Sequence, residues 1–454
     1  MSTETVIRLR PDADLARLLE GGDAARVLGA VPSAALKEAV QSLADGDVPE
    51  SELTVRLAAE DPAALMRLHL LLRRLDGIGW LEHAVRVDGR EIARLRPVGR
   101  NPVSVPSRLD PGREVRLARD ARVRVSGGRL VAETPRGHCV VELAADPPGP
   151  LLLGALADWV RPGDSPPGGA ALPLLAAAGL LETRQQAAEP SLWSPHDLWT
   201  HARARGTRLS ASYGATFHGA DLGDPAPAVP AARTGLRITL EVPDLERIAA
   251  QDPPLTEVIE GRRSVRVHDD EHPITLAQLS ELLYRTARQR RLLVGEHGQE
   301  LSDRPYPNGG AIYEQELYPL VNNVDGLEPG LWHYHAGDHA LEFVAAPGKP
   351  TARLTEVARE AALMTADPQV LLVVAARFGR VSWKYETIAY SLMLKHVGVL
   401  YQTIYLVATA MGLAVCGLGG GDADDFADAT GLDYHTEGSV GELLLGSRSP
   451  EATS

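Results

Sequence analysis

The stretch from Ile388 to Met411 constrains this chain more than any other. It is apolar almost all round, and only Lys395, His396 and Gln402 interrupt it. A run this long is either a membrane span or a helix covered on every side. A membrane span rarely keeps such residues without a use for them. The stretch therefore reads as a helix that its own domain or a partner subunit must bury. The N-terminus, MSTETVIRLRPDADL, has no apolar core of the kind a signal peptide needs. Together these readings point to a cytoplasmic protein.

A chain of 454 residues is too long for one ordinary core, so two or three domains are expected. A net charge of -14 argues against a general nucleic-acid binder, because phosphate binding wants surplus Lys and Arg. Cys139 and Cys416 lie far apart, with no CxxC or Cys/His spacing around either. Neither a disulfide framework nor a metal site is expected.

The spacing predicts a first module over 1–98. Asp61-Pro62 is a helix start, and Leu65, Leu68, Leu71, Leu72 and Leu75 repeat at helical spacing up to Gly77. Two short strands then flank Asp88-Gly89, so helices precede a two-stranded wing. A second winged-helix-like module is expected over 99–187. It has a hairpin at Gly127-Gly128, a helix over 151–160 and another over 170–178 closed by Gly179. Residues 188–235 read as an irregular, Pro- and Gly-rich linker holding the segment SLWSPHDLWTHARARG. Residues 236–454 form the third domain. Thr275 and Gln278 make a capping box there, a hairpin turns at Gly337-Asp338, and QVLLVVAARF is a buried strand. The fold class is α+β.

Five short constellations carry chemistry. Arg262, Arg263 and Ser264 follow a predicted helix and suit a phosphate, since Arg forks match its oxygens bidentately. Arg448 ends the last strand, in GELLLGSR. Alone, an Arg-Arg-Ser tripeptide is most often a solvated turn. Arg304 to Gly310, RPYPNGG, is a loop whose backbone can approach a ligand closely. Cys416 to Gly421, CGLGGG, invites a dinucleotide-binding reading. That reading fails, because the sixth position counted from Gly417 is Asp422 and no βαβ unit surrounds it. Its glycines are better suited to laying backbone against a flat ring. Trp383, Lys384, Tyr385 and Glu386 open the long helix in this reading. They offer two proton carriers side by side, although a snorkelling Lys at a helix start is the commoner use.

The order of these pieces resembles the nitroreductase superfamily. More closely, it is similar to the SagB-type or McbC-type azoline dehydrogenases. In that branch the loop commonly reads RPYPSGGALYPLE followed by GLEPGLYHY, and this chain has RPYPNGGAIYEQELYPL and then GLEPGLWHY. The likeness covers residues 236 to 450, with the SLWSPHDLWTHARARG segment as an upstream extension. It implies an FMN-binding α+β sandwich. Arg262, Arg263, Ser264 and Arg448 match contacts to the FMN phosphate and ribityl chain. Asn308, Gly309 and Gly310 match a loop that reaches the flavin across a homodimer interface. Leu418, Gly419 and Gly420 match the stretch beside the isoalloxazine, and Lys384 and Tyr385 match the acid/base pair. Asn308 replaces the usual Ser, and the insertion-like Glu314-Gln315-Glu316 departs from the pattern.

The resemblance implies oxidation of thiazoline or oxazoline rings in a ribosomal precursor peptide, as in thiopeptide-like pathways, with reoxidation by dioxygen. The N-terminal modules would capture a leader peptide by adding it as a strand, and a cyclodehydratase would be a partner. The alternatives are an NAD(P)H-dependent nitro- or quinone reductase and a non-catalytic docking subunit. In a weaker one, Arg67, Arg73 and Arg74 would read DNA. No nucleic acid and no membrane are expected as partners.

Overall fold

Alternating apolar and charged residues make half-buried strands, and the N-terminal sheet is built this way. The computed structural model describes residues 2–13, 34–60, 62–99, 101–206 and 214–449. It divides into two units, Met1–Tyr213 and Gly214–Ser454.

The first unit runs β1 (Thr3–Leu9), α1 (Ala34–Asp45), β2 (Val48–Pro49), α2 (Glu50–Glu60), α3 (Pro62–Gly77), β3 (Leu81–Val87) and β4 (Arg90–Pro97). It continues with β5 (Val115–Leu117), β6 (Arg122–Ser126), β7 (Arg129–Glu133), β8 (Cys139–Ala144), α4 (Gly149–Ala155), α5 (Leu172–Ala177), β9 (Leu181–Thr183), α6 (Arg184–Ala188) and α7 (Pro195–Arg205). One antiparallel sheet, ordered β2-β1-β3-β4-β8-β7-β6, passes through both predicted modules. Ile7, Leu36, Val40, Leu68, Leu71 and Leu75 form one core cluster. Val85, Leu95, Val141, Leu152 and Leu175 form a second. Asp88 and Gly89 both adopt positive φ, as do Gly127 and Gly128, which matches the twist that tight hairpins need. The helix start predicted at Asp61 lies outside the described residues.

Two local expectations are corrected. The helix over 151–160 stops at Ala155, because Val160 instead exchanges both backbone hydrogen bonds with Val115 at 2.9 Å. The segment SLWSPHDLWTHARARG is not irregular but forms α7. Ser194 caps it by accepting from Asp197 N, Pro195 opens it, and Trp199 Nε1 donates to Asp120 O at 2.9 Å.

The second unit runs β10 (Arg237–Thr239), α8 (Leu245–Gln251), α9 (Leu255–Gly261), α10 (Leu276–Ala287), β11 (Arg291–Val294), β12 (Glu300–Asp303), β13 (Gln315–Val321), β14 (Gly330–His335) and β15 (Ala340–Ala345). There follow α11 (Lys349–Ala361), β16 (Val370–Arg377), α12 (Phe378–Lys384), α13 (Ala389–Ala410), β17 (Leu413–Gly417), α14 (Ala423–Thr430) and β18 (Glu437–Ser447). Its sheet is ordered β10-β15-β14-β13-β16-β18-β17, and each neighbouring pair is antiparallel. Helices α10 and α13 pack Leu279, Leu283, Leu400 and Ile404 onto one face. Helices α11 and α14 pack Leu354, Ala358 and Phe426 onto the other. The capping box at Thr275 forms, with both of its reciprocal hydrogen bonds present. No helix among the described residues is long and apolar enough to cross a membrane.

The long apolar helix starts later than its sequence implies. Trp383 and Lys384 end α12, Tyr385 is extended at φ -116° and ψ 124°, and α13 begins at Ala389. Met393, Val397, Leu400, Ile404 and Ala408 are its buried stripe. The described residues of its own unit leave part of it open, since Tyr390 is 53% and Leu394 44% exposed.

Candidate functional site

The register of two strands assembles the centre of the site. Gln315 of β13 lies beside Ala376 of β16, so the loop entering β13 meets the helix leaving β16. The Pro-Asn-Gly-Gly loop thereby reaches Lys384 and Tyr385. A methyl group added to Gly310 would sit 2.8 Å from Tyr385 Oη and 3.2 Å from Lys384 Nζ. Gly310 also has φ +69°, so glycine is required twice over, by space and by backbone. Ala311 and Tyr313 hold the same left-handed region at φ 56° and 48°. Such strain, on the order of 1–3 kcal/mol per residue, persists only where the surroundings impose it.

Arg380 is one of those surroundings. It is fully buried, and its guanidinium donates to the carbonyls of Ile312, Ala226 and Glu300. Burial lowers its pKa to about 10, which still leaves it charged near neutrality. Asn308 fixes the near end of the loop. Its amide donates to Glu314 Oε2 at 3.0 Å and Gln315 Oε1 at 3.2 Å, and its oxygen accepts from Tyr313 N at 3.0 Å. Asn308 is thus a partner of Glu314 and Gln315, the first two residues of the insertion-like run.

A strap over residues 215–223 fixes the Lys384 side of the site. The Lys384 carbonyl accepts from the amides of Thr216 and Phe217 at 3.0 Å each, and Ala215 bridges Tyr385. Lys384 Nζ stands 5.3 Å from the Phe217 ring centre and 5.7 Å from that of Tyr385. Both rings present a face to the ammonium group. Phe217 packs in turn on His297 and Trp383. Burial raises the pKa of Tyr385, so its phenol stays protonated and can donate. Nothing in the sequence marked Phe217 or His297. Their place depends on contacts across long separations.

Arg262, Arg263 and Ser264 leave the end of α9 and run beside α13. The Arg262 guanidinium lies 5.4 Å over the Tyr405 ring, while Arg263 folds back onto the carbonyls of Glu260 and Arg262. Ser264 Oγ meets the Tyr405 hydroxyl at 2.8 Å, and the Gly417 amide donates to the same hydroxyl at 2.7 Å. One phenol therefore ties the Arg-Arg-Ser segment to the glycine stretch. Within that stretch the glycines differ. Side chains on Gly417 or Gly421 would collide with Tyr401 or the Glu442 carboxylate, whereas Gly419 and Gly420 face open space. Leu418 is held by its amide on Glu442 O.

Arg448 pairs with His268 rather than with Arg262 itself. The nearer arginine in sequence is Arg266, two residues before His268, which the sequence reading passed over. The alternation Arg262, Ser264, Arg266 is the signal that could have found it. Arg448 Nε is buried without a hydrogen-bond partner. None of Arg262, Arg263, Arg266 and Arg448 forms an ion pair among the described residues. The unpartnered Nε of Arg448 suits an anion such as a phosphate monoester.

His396 touches the Gly309 loop, and Tyr405 touches the arginine segment. They stand nine positions apart on α13, about 13 Å at the helical rise. An elongated cofactor with a phosphate at one end and a flat ring at the other fits that layout. Two clefts of about 920 and 620 Å³ open elsewhere on this unit, against Trp332 and against Lys349 and Arg353, and none of Arg262, Ser264, Gly310, Lys384, Tyr385 and Arg448 lines them.

Residues 259–446 match the model of the nitroreductase family. A Methanocaldococcus jannaschii protein provisionally named as a nitroreductase is 28% identical over 187 residues, covering 41% of this chain and 85% of its own length. The microcin B17-processing protein McbC of Escherichia coli is 31% identical over 114 residues, 24% of this chain and 42% of McbC. Among solved structures, the Escherichia coli microcin synthetase McbBCD complex with truncated pro-MccB17 matches at 20% identity and a TM-score of 0.36. That match covers 58% of this chain and 99% of the other. A provisionally named nitroreductase from Ralstonia eutropha JMP134 matches at 23% and 0.38, covering 50% and 94%.

Proposed function

Residues 259–446 form a nitroreductase-family domain, and from that premise we propose that the protein is an FMN-dependent dehydrogenase that oxidises thiazoline or oxazoline rings in a precursor peptide. The observation that carries the reading is the packing of the Gly310 backbone onto Lys384 Nζ and Tyr385 Oη. Two proton carriers under a glycine loop suit an oxidation that must remove a Cα proton. The relative named for processing microcin B17 supports a peptide substrate.

Arg262, Arg266, Ser264 and Arg448 would hold the FMN phosphate and ribityl chain, and the open side of Gly419 and Gly420 would face its ring. When bound, the flavin supplies the hydride acceptor. The chain itself supplies proton transfer and orientation. Tyr385, kept protonated by burial, donates a hydrogen bond to the substrate ring, and the Cα proton leaves through the adjacent Lys384–Tyr385 pair. Phe217 and the Gly310 loop bound the space above Lys384 and limit the access of water to it. A homodimer would cover Tyr390 and Leu394 of α13 and the exposed apolar residues Leu292, Leu293 and Val294 of β11. A leader peptide on the N-terminal sheet and a cyclodehydratase alongside would complete the assembly.

The test starts from the visible spectrum of the purified protein. A yellow protein whose flavin is bleached anaerobically by a cyclised azoline peptide, with a loss of two hydrogens per ring in the peptide mass, is the expected result. Bleaching by NADPH with no peptide oxidation would instead identify a nitro- or quinone reductase. A colourless protein that takes up no FMN would leave only the docking role.

A further inference from the structure

Glu314 and His396 are buried in the second unit, at 0% and 4% exposed. His396 was one of the interruptions in the apolar helix, and the reaction scheme leaves both residues unused. Glu314 Oε1 lies 2.8 Å from His396 Nδ1, and His396 Nε2 lies 2.7 Å from the Gly309 amide nitrogen. A backbone N–H can only donate, so Nε2 must offer its lone pair. The ring proton then sits on Nδ1, where the carboxylate accepts it. The other oxygen of Glu314 accepts from Asn308 Nδ2 at 3.0 Å. One carboxylate therefore holds two consecutive loop residues, Asn308 directly and Gly309 through the imidazole. The next residue, Gly310, is the one pressed against Tyr385 Oη and Lys384 Nζ. Gly309 has no slack either, since a methyl on it would sit 3.0 Å from His396 Nε2 and 3.1 Å from Leu392.

We infer that Glu314 and His396 are a positioning pair for the proton-transfer site: they fix the Gly309–Gly310 backbone against Lys384 and Tyr385 without touching the reacting ring. The inference rests on the function proposed above only for the meaning of the site, since the clamp itself is geometric.

Two substitutions of similar size separate positioning from core packing. In His396→Gln, the side-chain oxygen reaches the place of Nε2 and still accepts from Gly309. In His396→Asn, the amide reaches only the place of Nδ1 and keeps Glu314 but loses the loop. With both proteins retaining FMN and the same KM for peptide, kcat should stay within about threefold of wild type for His396→Gln and fall roughly 10- to 100-fold for His396→Asn. Equal losses in the two variants would overturn the inference. A second readout does not depend on turnover. In nitrogen-15 spectra of labelled histidine, His396 should be the neutral tautomer protonated at Nδ1. Gly309 amide exchange should be slow in wild type and His396→Gln and faster in His396→Asn. A proton on Nε2, or fast Gly309 exchange in wild type, would sink the clamp. A wild type with an intact clamp and no azoline oxidation would sink only the proposed function.

Discussion

The sheet of the first unit and one arginine cluster of the second use arginine in opposite ways. Across the N-terminal sheet, arginines and carboxylates interlock. Arg94 contacts Asp47, Glu82 and Glu91, Arg8 contacts Glu82, Arg86 contacts Asp47, and Arg129 contacts Glu91. Several of these groups are buried, and the arginines hold Asp47 below the usual carboxylate range against the opposing effect of burial. In the C-terminal unit, Arg262, Arg266 and Arg448 have no acid among the described residues, and buried Arg380 donates to carbonyls. Burying an unpaired charge is costly, and the buried Arg380 meets that cost with three carbonyls of the strained loop and its neighbours. The paired arginines of the first sheet brace strands, whereas Arg380 braces a loop and Arg448 keeps an unpartnered Nε.

The largest effect should come from the site itself. Lys384→Ala with Tyr385→Ala should lower azoline oxidation by about 10²–10⁴-fold while the flavin spectrum is kept. Full activity in that variant would refute the catalytic assignment. Next comes Arg94→Met in the other unit. Breaking a buried ion network should cost about 3–5 kcal/mol in denaturant unfolding of that unit. FMN content and the Lys384-dependent rate per folded molecule should not change, and a coupled loss of flavin would break the contrast. Third, Arg448→Ala and Arg266→Ala should each weaken FMN retention by about 10- to 100-fold, the worth of a charge-assisted hydrogen bond or two. Retention unaffected by either would show that the unpaired arginines serve something else.

The smallest effect is on pH dependence. His333 is buried between Glu316 and Glu342 at 3.2 Å each. Burial alone would lower its pKa, but the two carboxylates hold it above the ordinary value. Its stabilisation is complete below the unfolded value of about 6.5 and is lost as pH rises through the higher folded one. Burial opposes ionisation of Glu316 and Glu342, yet His333 holds both low, with Arg304 and Arg377 helping at Glu316 and the Arg233 backbone amide and His335 at Glu342. Their share is present above about pH 4.3 and is lost as pH falls. The second unit should therefore be most stable between these limits, by an amount on the order of 1 kcal/mol. In His333→Leu, the decline on the alkaline side should flatten when thermal unfolding is followed against pH.

Parts of this were legible in advance because the signals are local. Thr275 and Gln278 sit three residues apart and cap the same turn. Gly337-Asp338 and Gly127-Gly128 turn their hairpins. The order of the Arg-Arg-Ser, Pro-Asn-Gly-Gly and glycine-rich pieces was enough to frame the site. The break before the long helix was not legible, because no residue between Lys384 and Ala389 forbids a helix. The amides of Thr216 and Phe217 occupy the Lys384 carbonyl from far upstream and draw Tyr385 into an extended form. Arg266 was missed although its alternation with Arg262 and Ser264 was readable. Phe217 was not findable at all.

What the sequence alone determined is which charges, glycines and caps exist and where helices and turns begin, since those preferences act within a few residues. Which polar group each one meets was decided by the tertiary structure. The β13–β16 register brings Gly310 to Lys384, and α13 carries His396 to a carboxylate 82 residues away. A buried hydrogen bond has meaning only once both partners have left water together, and no run of neighbouring residues can specify that event.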